Sequence, residues 1–397
     1  MKAFRKRLGF VCFFIIFFVP LGLTSAEEVG VSDTSIKIGA TIDTTGPVAG
    51  FGIPRVEIVR AYIKYVNDRG GINGRKIEYF HESDDYKPPR TVAAFKKLTD
   101  VNQVFCFIGS MGSPTNQAVI PMAQQKKVPY LFIGASDREW YEPPKRYIFT
   151  IWPTYEDSMR RLVDYVGRDL NMKNAKVAII YYVSPSGRQS VRGLKEQMVH
   201  YPGMKVVADE GIKYGTVDLS APVYRMRKAN PDVVLFATIF NATALLAKEM
   251  KKVGWQPMMV MNISNGLDRL ITLGGTAVEG AVSQMIYPML HEDRPGVNLY
   301  KEVCKNYIPD SKLNPSPGGI SGFLEMQLGL EAIKRAGRNL TREGLINTLE
   351  HSYKNVDIQS IPPVTYSPKK HWGLDQTILV KVKKGKFVKE ADYQSPR

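Results

Sequence analysis

Short runs rich in β-branched and aromatic residues alternate along this chain with longer amphipathic ones. Ile36–Ile42 reads as a strand, and Pro54–Asp68 follows with Val56, Val59, Ile63 and Val66 at helical spacing. Gly70-Gly71 and Asn73-Gly74 then make a turn. Strands at Lys76–Phe80, Val104–Ile108 and Pro129–Ile133 alternate with helices at Arg90–Val101 and Thr115–Lys126. Such alternation predicts right-handed βαβ units on a parallel sheet. The pattern restarts near Ile151-Trp152-Pro153. Helices over Glu156–Asp169, Gly187–Val199, Ala221–Lys228 and Asn241–Val253 interleave with strands over Lys176–Tyr182, Lys205–Ile212, Asp232–Ile239 and Pro257–Ile263. Helices at Val297–Tyr307 and Ser321–Ala336 come next, then a hairpin over Thr377–Lys389 turning on Lys384-Gly385. The expected fold class is α/β, with two doubly wound parallel-sheet lobes. Ligands of such lobes bind in the crevice at the carboxyl ends of the strands.

The first residues break this pattern. Lys2, Arg5, Lys6 and Arg7 precede the apolar run Leu8–Leu23, and Thr24-Ser25-Ala26 follows with small residues at a cleavage position. That order predicts a secretory signal peptide over residues 1–26, cut near Ala26, and a periplasmic mature chain. The 16-residue run, interrupted by Pro20, is short for a membrane span of about 20 residues. Net charge is +16 and stays positive without the signal. Basic and acidic residues are interspersed, with no basic stripe, which argues against a nucleic-acid partner. Cys106 and Cys304 remain after cleavage and are expected to be buried free thiols, since sequence places them at no bonding distance.

Chemistry concentrates at strand ends. In Met111-Gly112-Ser113-Pro114-Thr115 a strand gives way to a helix, with Ser113 suited to the N-cap and Pro114 to the first helical position. The free N–H groups and positive dipole end there can hold a carboxylate, and Gly112 allows close approach. Gly134-Ala135-Ser136 repeats the arrangement one strand over. Phe51 follows the first strand and can wall an apolar solute. In the second half, strand ends nominate Tyr182, Ser186, Phe240 and Asn265. The sequence has no GxSxG, Walker loop or HExxH, and no enzyme activity or cofactor is expected. His81-Glu82-Ser83-Asp84-Asp85 cannot converge on a metal from a strand, where alternate residues point to opposite faces.

The ordered series Ile36–Gly52 (IKIGATIDTTGPVAGFG), Asn67–Gly74, Asp84-Asp85, Ile108–Thr115, Lys127-Val128-Pro129, Gly134-Ala135-Ser136 and Val278-Glu279-Gly280 resembles the periplasmic leucine/isoleucine/valine-binding family of ABC-transporter solute receptors. The resemblance implies a type I periplasmic-binding fold with three crossovers between lobes, near Phe149–Pro153, Ala281–Met285 and Ile358–Val364. Lobe 1 would hold residues 27–151 and 284–358, and lobe 2 residues 152–283 and 359–397. It implies a monomer that closes on a small-molecule solute and delivers it to a membrane ABC permease, with a periplasmic sensor as the alternative. Family receptors for amino acids hold the ammonium with an acid after the strand that ends here at Ile263, where this chain has Ser264 and Asn265. A family tyrosine is replaced by Ser186. Both departures weaken the case for a free α-amino acid, and the expected solute is a small carboxylate- or amide-bearing molecule, a branched-chain amino acid or a related or aromatic acid.

Overall fold

The computed structural model describes residues 28–308 and 317–397. The expected signal segment lies outside them. The first parallel sheet consists of β1 (Ser35–Thr41), β2 (Lys76–Glu82), β3 (Cys106–Ile108), β4 (Tyr130–Ile133) and β5 (Ile148–Thr150), in the order β2-β1-β3-β4-β5. Helices α1 (Ala49–Asp68), α2 (Pro88–Lys96) and α3 (Ser113–Gln125) connect its strands. The second lobe opens with α4 (Tyr155–Asp164), then β6 (Lys176–Tyr182), α5 (Pro185–Met198), β7 (Lys205–Ile212), α6 (Ser220–Lys228) and β8 (Val233–Ala237). It continues with α7 (Phe240–Lys252), β9 (Met258–Met261), α8 (Asp268–Gly274) and β10 (Val282–Met285). The chain then returns to the first lobe for α9 (Pro295–Tyr307), α10 (Pro317–Ala336) and α11 (Arg342–Asn347), and ends in the antiparallel pair β11 (Thr377–Lys383) and β12 (Lys386–Gln394). The second sheet runs β12-β11-β10-β9-β8-β6-β7.

Both lobes follow from runs that only a two-sided core can satisfy. Val233–Ala237 is buried throughout, as is Tyr130–Ile133, because helices cover both faces of each sheet. Cys106 and Cys304 are free and buried. Helix α1 starts at Ala49, five residues before the expected Pro54. Asp43 explains the early start, because its carboxylate accepts from the backbone N–H groups of Thr45, Gly46 and Val48 and organises the entry turn. Two helices, α2 and α4, end in widened turns over Lys97–Val101 and Tyr165–Asp169, inside the spans expected to be helical.

Two crossings lie elsewhere than expected. Ala281–Met285 is not a crossover, since Val282–Met285 forms β10, with Ser283 beside Met261 and Met285 beside Ile378. Residues 284–285 thus sit in the second sheet, and the chain crosses after them. Residues 359–374, expected in lobe 2, pack on the first sheet. Tyr366 Oη donates to Thr150 O at 2.9 Å, Leu374 N to Ile151 O at 2.9 Å, and His371 stacks on Phe149 with centroids 3.9 Å apart. The third crossing falls between Leu374 and Thr377. A short irregular stretch can make these contacts with no periodic signal, so neither position was legible from pattern.

Candidate functional site

The carboxyl ends of both sheets face one another across a cleft of about 750 Å³, part of it open to solvent. From the first lobe, α1 brings Val48 and Phe51 to it, the loop after β2 brings Tyr86, and the β3–α3 junction brings Met111, Gly112 and Ser113. Gly112 has φ +101°, and a Cβ there would stand 2.5 Å from Thr115 Oγ1 and 2.6 Å from the Tyr86 ring. Only glycine permits that turn. The cap of α3 is Gly112 rather than Ser113, which is the first helical residue and donates to Tyr155 Oη at 3.2 Å. The helix N-terminus still opens on the cleft, with Thr115 Oγ1 folded back on Met111 O at 2.7 Å.

The second lobe supplies Tyr182, Ser186, Tyr214, Phe240 and the turn Asn262-Ile263-Ser264, with Leu267 and Tyr287 at the base. Ser184 caps α5, its Oγ accepting from Gly187 N at 3.2 Å, and so presents Ser186 on the first turn. Tyr182 and Tyr214 stack with centroids 3.9 Å apart. Trp152 and Tyr155, around the first crossing, complete the wall. Of ten expected site residues, Phe51, Met111, Gly112, Ser113, Tyr182, Ser186 and Phe240 line the cleft, and three do not.

Those three are turned inward. Ala135 belongs to the apolar core behind β4. Ser136 begins no helix; its hydroxyl donates to Trp152 O at 2.6 Å and bonds Tyr141 Oη at 3.0 Å, pinning the first crossing instead of a ligand. The second helix cap expected at Gly134-Ala135-Ser136 is therefore absent, and Gly134 alone of the three reaches the cleft. Asn265 is fully buried, with Nδ2 donating to Thr238 O and Asn262 Oδ1, both at 2.8 Å. A buried amide takes such partners wherever the fold offers them.

The two lobes touch across the cleft. Ile239 at the start of α7 packs against the first-lobe cluster of Val48, Val56 and Met111. Tyr86 meets Tyr214 edge to face, with centroids 5.9 Å apart. The conformation is closed.

Among the described residues, no residue lining the cleft carries a charge, and eight that line it are aromatic. Burial raises the Tyr86, Tyr155, Tyr182 and Tyr214 hydroxyls above the ordinary phenol range, so all four stay protonated and can donate. The polar groups on offer are these hydroxyls, Ser113, Ser186, Ser264, Asn262 and the first-turn amides of α3. The arrangement suits a flat or apolar solute with one hydrogen-bond-accepting end. Tyr86, Tyr155 and Tyr214 were missed because they stand in loops or at a helix start, where no periodicity singles out an aromatic.

Two α/β lobes, threaded three times and closed over a neutral crevice, define a bilobal ligand-binding protein. The family described as "Periplasmic binding protein" matches residues 35–386, and the chain belongs to it. It is similar to Leu/Ile/Val-binding protein homolog 1 of Brucella abortus (strain 2308), 24% identical over 313 residues, covering 78% of this chain and 80% of the relative. Homolog 7 of the same strain is 25% identical over 327 residues, with the same coverage. Among solved structures, a branched-chain amino acid ABC transporter protein from Thermus thermophilus with bound valine superposes with a TM-score of 0.84 at 23% identity, covering 92% of this chain and 97% of that one. A fatty acid ABC transporter substrate-binding protein from Thermomonospora curvata gives 0.83 at 25% identity, covering 93% and 94%. The fold is that of the type I periplasmic binding proteins.

Proposed function

We propose that this chain is the extracytoplasmic solute-binding component of an ABC importer. Its solute is a small molecule with a flat or apolar body and a carboxylate or amide end, captured by hinge closure and handed to a membrane permease. The carrying observation is the uncharged, aromatic lining of the cleft beside the N-terminus of α3. A helix N-terminus favours a carboxylate. An ammonium buried with no charged partner costs several kcal/mol, which disfavours free amino acids. Of the similar structures, the Thermus thermophilus protein holds valine, whose carboxylate fits this reading and whose ammonium does not, and the Thermomonospora curvata protein belongs to a fatty acid transporter. Residues 1–26, by their basic, apolar and small-residue order, support export to the periplasm.

A thermal-shift series with benzoate, phenylacetate and benzamide against leucine, isoleucine and valine tests this. Stabilisation by the aromatic set is expected. Stabilisation by the aliphatic amino acids alone would overturn the solute reading. Ser113→Ala removes one hydrogen bond to a charged group, worth about 1.5–3 kcal/mol. Calorimetry should show benzoate affinity lowered roughly ten- to a hundredfold, with the fold of the empty protein retained.

A further inference from the structure

Asp137 follows the Gly134-Ala135-Ser136 turn and is 1% exposed. Its Oδ1 accepts from Gln189 Nε2 of α5 at 3.2 Å, and its Oδ2 is buried with no partner. Ser113 Oγ stands beside it and also reaches Tyr155 Oη at 3.2 Å, so its one proton serves either partner. The carboxylate lies directly behind the cleft wall, and its charge bears on Tyr86, Tyr155 and Tyr214.

Among the described residues, no cation pairs with it. Arg138 faces Glu142 at 3.4 Å and Glu156 at 3.9 Å, and Arg192 of α5 pairs with Glu156 of α4. Glu139, on the same loop as Asp137, and Glu156 add negative potential. Burial, opposed by the Ser113 hydroxyl and reinforced by these two acids, pushes the Asp137 carboxyl up to about 7.

We propose that Asp137 sets the charge of the solute the cleft accepts, and that seating a carboxylate at Ser113 moves one proton from solvent onto Asp137. The inference rests on the carboxylate reading above. A carboxylate bound at Ser113 and the Asp137 carboxylate behind that wall would stand close together in water-poor surroundings, where two like charges cannot both persist. The solute stays ionised, and Asp137 Oδ2 takes the proton and becomes a donor toward Ser113. One anion and one proton enter together, so the charge of the closed cleft does not change. A neutral amide brings no charge and needs no proton.

The sign follows from linkage. Binding raises the affinity of Asp137 for its proton, so benzoate binds best below the carboxyl's pKa in the empty cleft. Its affinity falls about tenfold per pH unit above that value. Calorimetry with benzoate should show roughly tenfold weaker binding at pH 8 than at pH 6, while benzamide binding stays flat. Titration at pH 8 in phosphate and in Tris, whose ionisation enthalpies differ, should reveal uptake of close to one proton per benzoate and none per benzamide. Asp137→Asn should bind benzoate at pH 8 as tightly as the wild type does at pH 6, with no slope. The wild-type proton count carries the test even if that variant folds poorly. Benzoate binding with neither slope nor proton uptake overturns the role of Asp137 and leaves the solute reading standing. Failure of both benzoate and benzamide to bind at any pH overturns the two together.

Discussion

Glu325→Leu is expected to destabilise the protein by about 3–5 kcal/mol, the usual cost of leaving a buried partner charge uncompensated. Glu325 of α10 is 1% exposed and pairs with the fully buried Arg55 of α1. Arg55 also donates to Gly109 O at 3.2 Å and to Ser321 Oγ at 3.1 Å, so its guanidinium ties both helices to the end of β3. Burial raises the Glu325 carboxyl against the pull of Arg55. The leucine variant strands Arg55 in an apolar interior behind the cleft. It also removes the acceptor of Trp152 Nε1, at 3.3 Å, and so loosens a residue of the cleft wall. Urea melts followed by tryptophan fluorescence would measure the loss. The pair Arg55→Met with Glu325→Leu should regain most of it, because no unpaired charge remains. A single variant losing under about 1 kcal/mol, the level of a surface pair, would show that the ion pair does not hold the lobe together.

Ser264→Asp should exchange one class of solute for another. Ser264 is half-buried in the turn after β9 and lines the cleft, where the resemblance led one to expect an acid. A carboxylate introduced about 4 Å from a bound carboxylate costs roughly 4 kcal/mol at an effective dielectric of about 20. Benzoate affinity should then fall about a thousandfold. The same acid gives an ammonium its missing partner, so leucine or valine should stabilise the variant and not the wild type. Parallel thermal-shift and calorimetric titrations decide it. Unchanged benzoate affinity would place the carboxylate end elsewhere in the cleft.

The repeating elements were legible because each is dictated locally. Lys176–Tyr182 and Lys205–Ile212 form the strands read from pattern, residue for residue. What escaped was short or irregular. Three-residue β5 and polar β10 (Val-Ser-Gln-Met) carry too few apolar positions to declare themselves, and their pairing is decided by neighbours distant in sequence. At the site, residues placed by a strand end and a glycine turn, such as Met111, Gly112 and Ser113, were readable. Ser136 and Asn265 share the same motif chemistry, yet their hydroxyl and amide found buried backbone carbonyls. Which way such a side chain turns depends on the tertiary surroundings, and sequence alone does not hold that information.

The third crossing has a consequence for how the molecule comes into being. The edge of the first sheet is finished by residues more than two hundred positions away: Tyr366 reaches Thr150 across a separation of 216, and His371 reaches Ile148 across 223. A chain emerging amino end first therefore exposes the outer side of β5 until almost its last segment has appeared. By then α4 through β10, with five of the seven strands of the second sheet, is available to condense on its own. Loop closures of that length are slow to form. The carboxyl-terminal segment thus acts as a late fastener for both lobes, and a truncation before Tyr366 should leave the first sheet without its cover at β5 and the second without β11 and β12.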